Sequence, residues 1–160
     1  MSSLILFASR HGSVANAALI LAGIIDSEVL VAQFGMDEIP DISRFDSVMI
    51  GGSIYIGKVQ KEVKAFCESN IDELNGKNLG IFICAGEENP EKRETTLKGN
   101  FPSLLLDSAN AKGWFGREVH IEDMGFLEKL ALRFAKGTRR SYSDLREENI
   151  KEFALKMGLV

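Results

Sequence analysis

Cysteine and proline are scarce in this chain. Its 160 residues hold two of the first, Cys67 and Cys84, and three of the second. The two cysteines form no CxxC or metal-ligand spacing, so neither a zinc site nor a dithiol redox motif is expected. Long apolar runs are also missing. The longest, Ala17 to Ile25, has nine residues, against the ~20 needed to span a bilayer. Met1 to Ala8 lacks the charged start and the length of a secretory signal. There is no excess of positive charge: 19 Lys and Arg stand against 23 Asp and Glu, a net charge of −4, which argues against a general nucleic-acid binder. What is present is apolar content, 45%, with no short repeat, which excludes disordered and collagen-like chains. The length favours one domain over residues 1–160, and a chain of this size buries roughly 70% of its unfolded surface. A soluble, cytoplasmic protein is the expectation.

Apolar runs and helical periods alternate along the chain. Leu4 to Ala8 is a short continuous apolar run ending at Ser9, which suits a strand buried on both faces. Gly12 to Ile25 reads as a helix and Glu28 to Phe34 as a more polar strand near an edge. Val48-Met49-Ile50 forms a third strand that stops at Gly51-Gly52. Lys58 to Ser69 reads as a helix with Val59, Val63, Phe66 and Cys67 on one face, and Leu79 to Cys84 as a fourth strand. Glu91 to Asp107 is expected to be mostly helical, broken by Gly99 and Pro102, and Trp114-Phe115-Gly116 is the candidate fifth strand. In the last helix Asp144 and Glu147 make a capping-box pattern, and Ile150, Phe153, Ala154 and Met157 follow at i, i+3, i+4 and i+7. Alternating strands and helices predict an α/β layer sandwich with parallel pairing and right-handed crossovers.

Open parallel sheets bind ligands beyond the carboxyl ends of their strands, near the point where strand order reverses. After strand one comes Ser9-Arg10-His11-Gly12-Ser13-Val14. It is neither GxGxxG nor GxxxxGK[ST], which disfavours the usual dinucleotide and nucleoside-triphosphate sites. A phosphate-accepting receiver would need acids after strand one and an Asp ending strand three, where Ser9 and Gly51 stand. A loop of small hydroxyl residues entering a helix can hold a phosphate monoester through backbone N–H groups. It can equally be an ordinary strand–helix turn. The other two loops shift the balance: Ser53-Ile54-Tyr55-Ile56-Gly57 joins a glycine to one aromatic, and Cys84-Ala85-Gly86-Glu87 runs from small to polar residues. Three such loops suit a phosphate at one end and a flat ring at the other.

With these residues in view, the chain resembles a flavodoxin-like FMN-binding domain, and most closely the flavodoxin-type, menaquinone-dependent protoporphyrinogen oxidase family. The matching pieces are Leu4-Ile5-Leu6-Phe7 with Ser9-Arg10-x-Gly12, then Ile50-Gly51-x-Ser53-Ile54 with Gly57, then Pro90-Glu91-Lys92-Arg93. The resemblance implies a doubly wound five-stranded parallel sheet in the order 2-1-3-4-5, with helices on both faces. It also implies FMN, its phosphate on residues 9–14 and its ring between the loops at 53–57 and 84–89. The family's phosphate loop usually ends in Thr where this chain has Val14.

Three functions follow, the first as the main expectation and the others as alternatives to it. One is an FMN-dependent oxidoreductase that dehydrogenates a porphyrinogen-like substrate and hands electrons to a quinone. Another is a flavodoxin-type shuttle between an electron-donor and an electron-acceptor protein, with no substrate of its own. The third, motivated by Val14, is a flavin-free interaction module. No paired carboxylate or nucleophile–base pattern names a catalytic side chain. Cys67 and Cys84 read as core, Trp114 as packing near the sheet edge, and His120 has no metal-ligand neighbour. The segment 128–140 concentrates basic charge: Lys129, Arg133, Lys136, Arg139 and Arg140 against Glu128. An apolar stripe of Leu127, Leu130, Ala131 and Phe134 lies beside it. That pattern suits peripheral contact with an anionic membrane, where a quinone is reached, or a packed helix with a solvated basic face.

Overall fold

The computed structural model describes residues 2–119 and 142–160. Its centre is a five-stranded parallel sheet in the order β2-β1-β3-β4-β5, built from Ser2–Phe7 (β1), Glu28–Gln33 (β2), Ser47–Ser53 (β3), Asn78–Cys84 (β4) and Ala111–Trp114 (β5). This is the flavodoxin-like doubly wound order, so the expected fold class holds. The first run of apolar residues explains its centre. Leu4 and Leu6 point to one face, Ile5 and Phe7 to the other, and all are buried.

Helices cover both faces. On one lie Lys61–Ser69 (α2), Ile71–Asn75 (α3) and Ser103–Ser108 (α5), whose Val63, Cys67, Leu74 and Leu105 pack on Leu4, Val48, Leu79 and Ile81. On the other lie Ser13–Ile24 (α1) and Glu147–Lys156 (α6), through Val14, Ala17, Leu21, Ile150 and Phe153. Pro90–Asn100 (α4) precedes α5. Gly116–Val119 (β6) and Tyr142–Leu145 (β7) pair antiparallel as a separate ribbon.

Five expectations need correction. Strand β3 does not stop at Gly51-Gly52 but runs through both to Ser53. The glycines are there because neighbours occupy their side-chain space: a Cβ on Gly51 would lie 2.0 Å from the Phe82 ring, and one on Gly52 would lie 2.6 Å from Val59. The fifth strand is Ala111–Trp114 rather than 114–116. Phe115 still donates its N–H to Ile83 O at 2.9 Å and buries its ring in the core, and Gly116, at φ +74°, turns the chain into β6. The capping box does not form: Asp144 lies in β7 opposite Arg117, and α6 starts at Glu147 with Arg146 at its N-cap and no side-chain bond. The apolar stripe of that helix is buried as expected. Helix α2 begins at Lys61, later than expected, because residues 55–58 are used in a turn. The Glu91–Asp107 stretch is two helices that break at Phe101-Pro102, while Gly99 sits inside α4. His120 and the basic segment 128–140 lie outside the described residues.

Candidate flavin site

Strands β1, β3 and β4 are neighbours in register, Phe7 beside Gly51, Gly51 beside Phe82 and Ser53 beside Cys84. Their loops therefore leave the same edge of the sheet side by side, and the structure brings all three expected segments together. Loop one, Ser9–Gly12, ends at the N-terminus of α1. Gly12 is the N-cap and sits in the left-handed region at φ +89°, where a side chain is strained although its Cβ would meet nothing within 4 Å. Its N–H donates to Ser9 Oγ at 3.1 Å. Being glycine, the N-cap offers α1 no side chain, and the first turn holds no acid. The positive end of the helix dipole thus faces the loop without a built-in counter-charge. Ser13 is buried at this point, and the Val14 side chain is fully buried in the core beneath α1. Val14 therefore meets the loop through its backbone.

Arg10 connects loops one and two. Its guanidinium lies 3.9 Å from the centroid of the Tyr55 ring, and its Nε donates to His11 Nε2 at 3.2 Å. A cation over an aromatic face contributes roughly 0.5–1 kcal/mol at an exposed site. Tyr55 is 49% exposed, with the guanidinium over its ring. A cavity of about 570 Å³ opens between the two loops, lined by Ser9, Arg10, Ser53, Tyr55, Ile56 and Lys58 to Gln60.

Loop two is a tight reversal. Tyr55 N–H donates to Lys58 O at 2.9 Å and Lys58 N–H to Tyr55 O at 3.1 Å, with Ile56 at φ +50° and Gly57 at φ +73° between them. Positive φ at both central positions is the signature of a type I′ turn. Among the described residues Ile56 is the only one other than glycine with positive φ, and it is 81% exposed. Two side chains absent from the sequence reading hold this turn. Gln60 Oε1 accepts from Ser53 N–H at 3.0 Å while its Nε2 donates to Ser53 Oγ at 2.7 Å. Asn100, buried at the end of α4, accepts from Val59 N–H at 3.0 Å and donates to the carbonyls of Gly57 and Thr96. The only trace of Asn100 in the sequence is a polar residue placed just before Phe101-Pro102.

Loop three begins at Ala85, since Cys84 is buried in the core. It is held from behind. Trp114 Nε1 donates to Ala85 O at 3.0 Å, Arg93 Nε donates to Glu87 O at 2.6 Å, and Arg146 pairs with Glu88. Asn89 caps α4 by accepting from Glu91 and Lys92 N–H, with Pro90 in the first helical turn. The Pro90–Arg93 motif is thus a helix start whose arginine reaches back to the loop. Burial moves the Arg93 guanidinium below its ordinary pKa, with the Arg146 charge adding to the effect. Among the described residues no cluster of His, Cys, Asp or Glu suits a metal ion, and no helix is long and apolar enough to cross a membrane.

The family model for the flavodoxin domain matches residues 4–145. The chain belongs to the flavodoxin domain family. Solved flavodoxins share its fold. The flavodoxin of Streptococcus pneumoniae TIGR4 is 19% identical over 99% of this chain and 98% of its own, with a TM-score of 0.63. Oxidised flavodoxin 1 of Bacillus cereus is 15% identical over 99% and 97%, with a TM-score of 0.58. The same fold recurs inside a larger protein, the rubredoxin:oxygen oxidoreductase of Desulfovibrio gigas, 12% identical over 99% of this chain and 35% of that one, with a TM-score of 0.56. At these identities the likenesses establish the fold alone. No curated protein sequence matches the chain. The comparisons reach the flavodoxin domain and do not extend to the protoporphyrinogen oxidase family.

Proposed function

We propose that this flavodoxin-domain chain binds FMN across its three strand-end loops and serves as a flavin-based electron-transfer protein. The observation that carries the reading is loop one: a left-handed Gly12 at the start of α1, Ser9 and Ser13 beside it, and no acid in the first turn. Backbone N–H groups and serine hydroxyls there would hold the phosphate, with Arg10 supplying opposite charge. Tyr55 would flank the ring on one side, and Ala85, Gly86 and Glu87 would border it on the other. Bound FMN supplies the redox chemistry; the protein positions it and sets its surroundings.

The shuttle reading fits these residues with nothing further than an electron-donor and an electron-acceptor protein. The narrower reading, oxidation of a porphyrinogen-like substrate with a quinone as acceptor, adds a substrate to the same flavin and rests on the sequence resemblance. Two measurements separate them. FMN titration followed by gel filtration is expected to give a complex with the twin visible bands of a bound flavin. Its absence would overturn both readings in favour of a flavin-free module. Anaerobic mixing with protoporphyrinogen should leave the flavin oxidised if the chain is a shuttle, whereas bleaching reversed by quinone would establish the oxidase.

A further inference from the structure

A second cleft lies away from loops one and two, between α4 and α6 at the outer edge of β5, with a volume of about 400 Å³. That volume falls in the range of small-molecule sites. Leu97 lines it and the nearly buried Trp114 and Phe153 close its floor with apolar, aromatic edges, while Arg93, Lys112 and Lys156 bring positive charge to it. Two carboxylates also line it, but each is held by a lysine one turn further on: Glu94 by Lys98 at 3.3 Å, and Glu152 by Lys156 at 3.1 Å. That leaves Arg93, whose charge is opposed from loop three by Glu87 and Glu88 and joined by that of Arg146, and the exposed Lys112 to set the character of the cleft.

Arg93 is already oriented. Its Nε bond to Glu87 O and its guanidinium carbon, 5.4 Å from the Trp114 ring centroid, fix the plane of the fork. The Nε bond leaves the terminal Nη pair, the edge that takes a carboxylate or phosphate in two parallel hydrogen bonds. We propose that this cleft binds a small organic anion, a carboxylate or phosphate carried on an aromatic or alkyl body, with the charge on Arg93 and Lys112 and the body against Trp114 and Phe153. The same guanidinium holds the carbonyl of Glu87, so occupancy of the cleft is transmitted to loop three. The site stands without the flavin reading; only this transmission rests on it.

Trp114 is the only tryptophan, so its emission reports the cleft directly. The cofactor-free chain is titrated with benzoate and with benzamide, its neutral counterpart. A saturable change with benzoate, absent with benzamide, is expected. It should weaken more than tenfold in Arg93→Gln and severalfold in Lys112→Glu, an exposed change that leaves the core untouched. No saturable change with benzoate, an equal response to benzamide, or undiminished binding in both variants would overturn the site. FMN affinity is then measured with and without saturating benzoate. A change of threefold or more is expected, and identical affinities would overturn the transmission. A chain that binds benzoate as described but takes up no FMN would refute the flavin reading and support the cleft.

Discussion

Replacing Gly51 by alanine tests the packing beneath the three loops. An ideal Cβ there would lie 2.0 Å from Phe82 Cε2 and 2.1 Å from its Cζ. Carbon atoms rest at roughly 3.5–4.0 Å, so ring and strand must part by about 1.5 Å. Phe82 has nowhere simple to go. It is stacked on Phe115, with centroids 5.0 Å apart and planes at 16°, and meets the edge of Phe153 at 5.9 Å; Phe115 and Phe153 also meet edge to face. Overpacking typically costs about 1–3 kcal/mol, and disturbing an aromatic pair about 0.5–1.5 kcal/mol more. A destabilisation of about 3 kcal/mol is therefore expected, a large part of the ~5–15 kcal/mol a domain possesses. With a urea slope of about 1–3 kcal/mol/M, the unfolding midpoint should fall by about 1 M or more. The cause is checked in a Phe82→Leu background, where the smaller side chain opens the space. There Gly51→Ala should cost less than about 1 kcal/mol, a coupling of about 2 kcal/mol. A midpoint that barely moves, or an equal cost in both backgrounds, would refute the steric account.

Gly12→Asp places a carboxylate at the proposed phosphate position and strains a left-handed backbone by roughly 1–2 kcal/mol; FMN uptake should be lost in it and retained in Gly12→Asn, as read by visible absorbance. Tyr55→Ala removes the ring beneath the Arg10 guanidinium and the proposed ring contact, so bound-FMN fluorescence should rise and affinity fall by roughly 1 kcal/mol, checked by fluorimetric titration. Asn100→Ala leaves Val59 N–H and Gly57 O without their partner and should cost about 1–3 kcal/mol in urea unfolding while weakening FMN binding through loop two. Burial pushes the Cys67 thiol from 9.0 up to about 12. The folded state keeps this proton when the unfolded state has lost it, so the contribution is complete below about pH 9 and fades as pH climbs towards 12. The stability advantage of the parent over Cys67→Ala should accordingly shrink across that window, as followed by urea midpoints.

The sheet was legible because its causes are local. The continuous apolar run at Leu4–Ala8 and the stripe Ile150–Met157 each state their burial within a few residues, and alternation of strand and helix dictates parallel order. The misreadings have distant causes. Gly51-Gly52 looks like a stop, yet the glycines serve the ring of Phe82 and the side chain of Val59. The aromatic pair Trp114-Phe115 suggests a strand centre, but register with Gly80 starts the strand at Ala111. Asp144 and Glu147 have the spacing of a cap inside a chain that pairs as a ribbon there. The site divides in the same way. Its loops were legible because ligands collect at strand ends, and Arg93 stood in a matching motif without its role; Gln60 and Asn100 act across turns and helices that adjoin only in three dimensions.

Helix α6 has a consequence for how the protein is made. Phe153 packs on Phe82 and Phe115, and Met157 lies against Gly80, so the face of β4 and β5 opposite α2 is finished by residues near the end of this sequence. A ribosome that has translated all three loops has still not delivered that cover. Until α6 emerges, the nascent chain displays the phenylalanine cluster on a bare parallel sheet, the kind of surface that chaperones hold and that aggregates when they do not. Chains cut before Glu147 should for that reason accumulate as insoluble material even though every residue of the three loops is present in them.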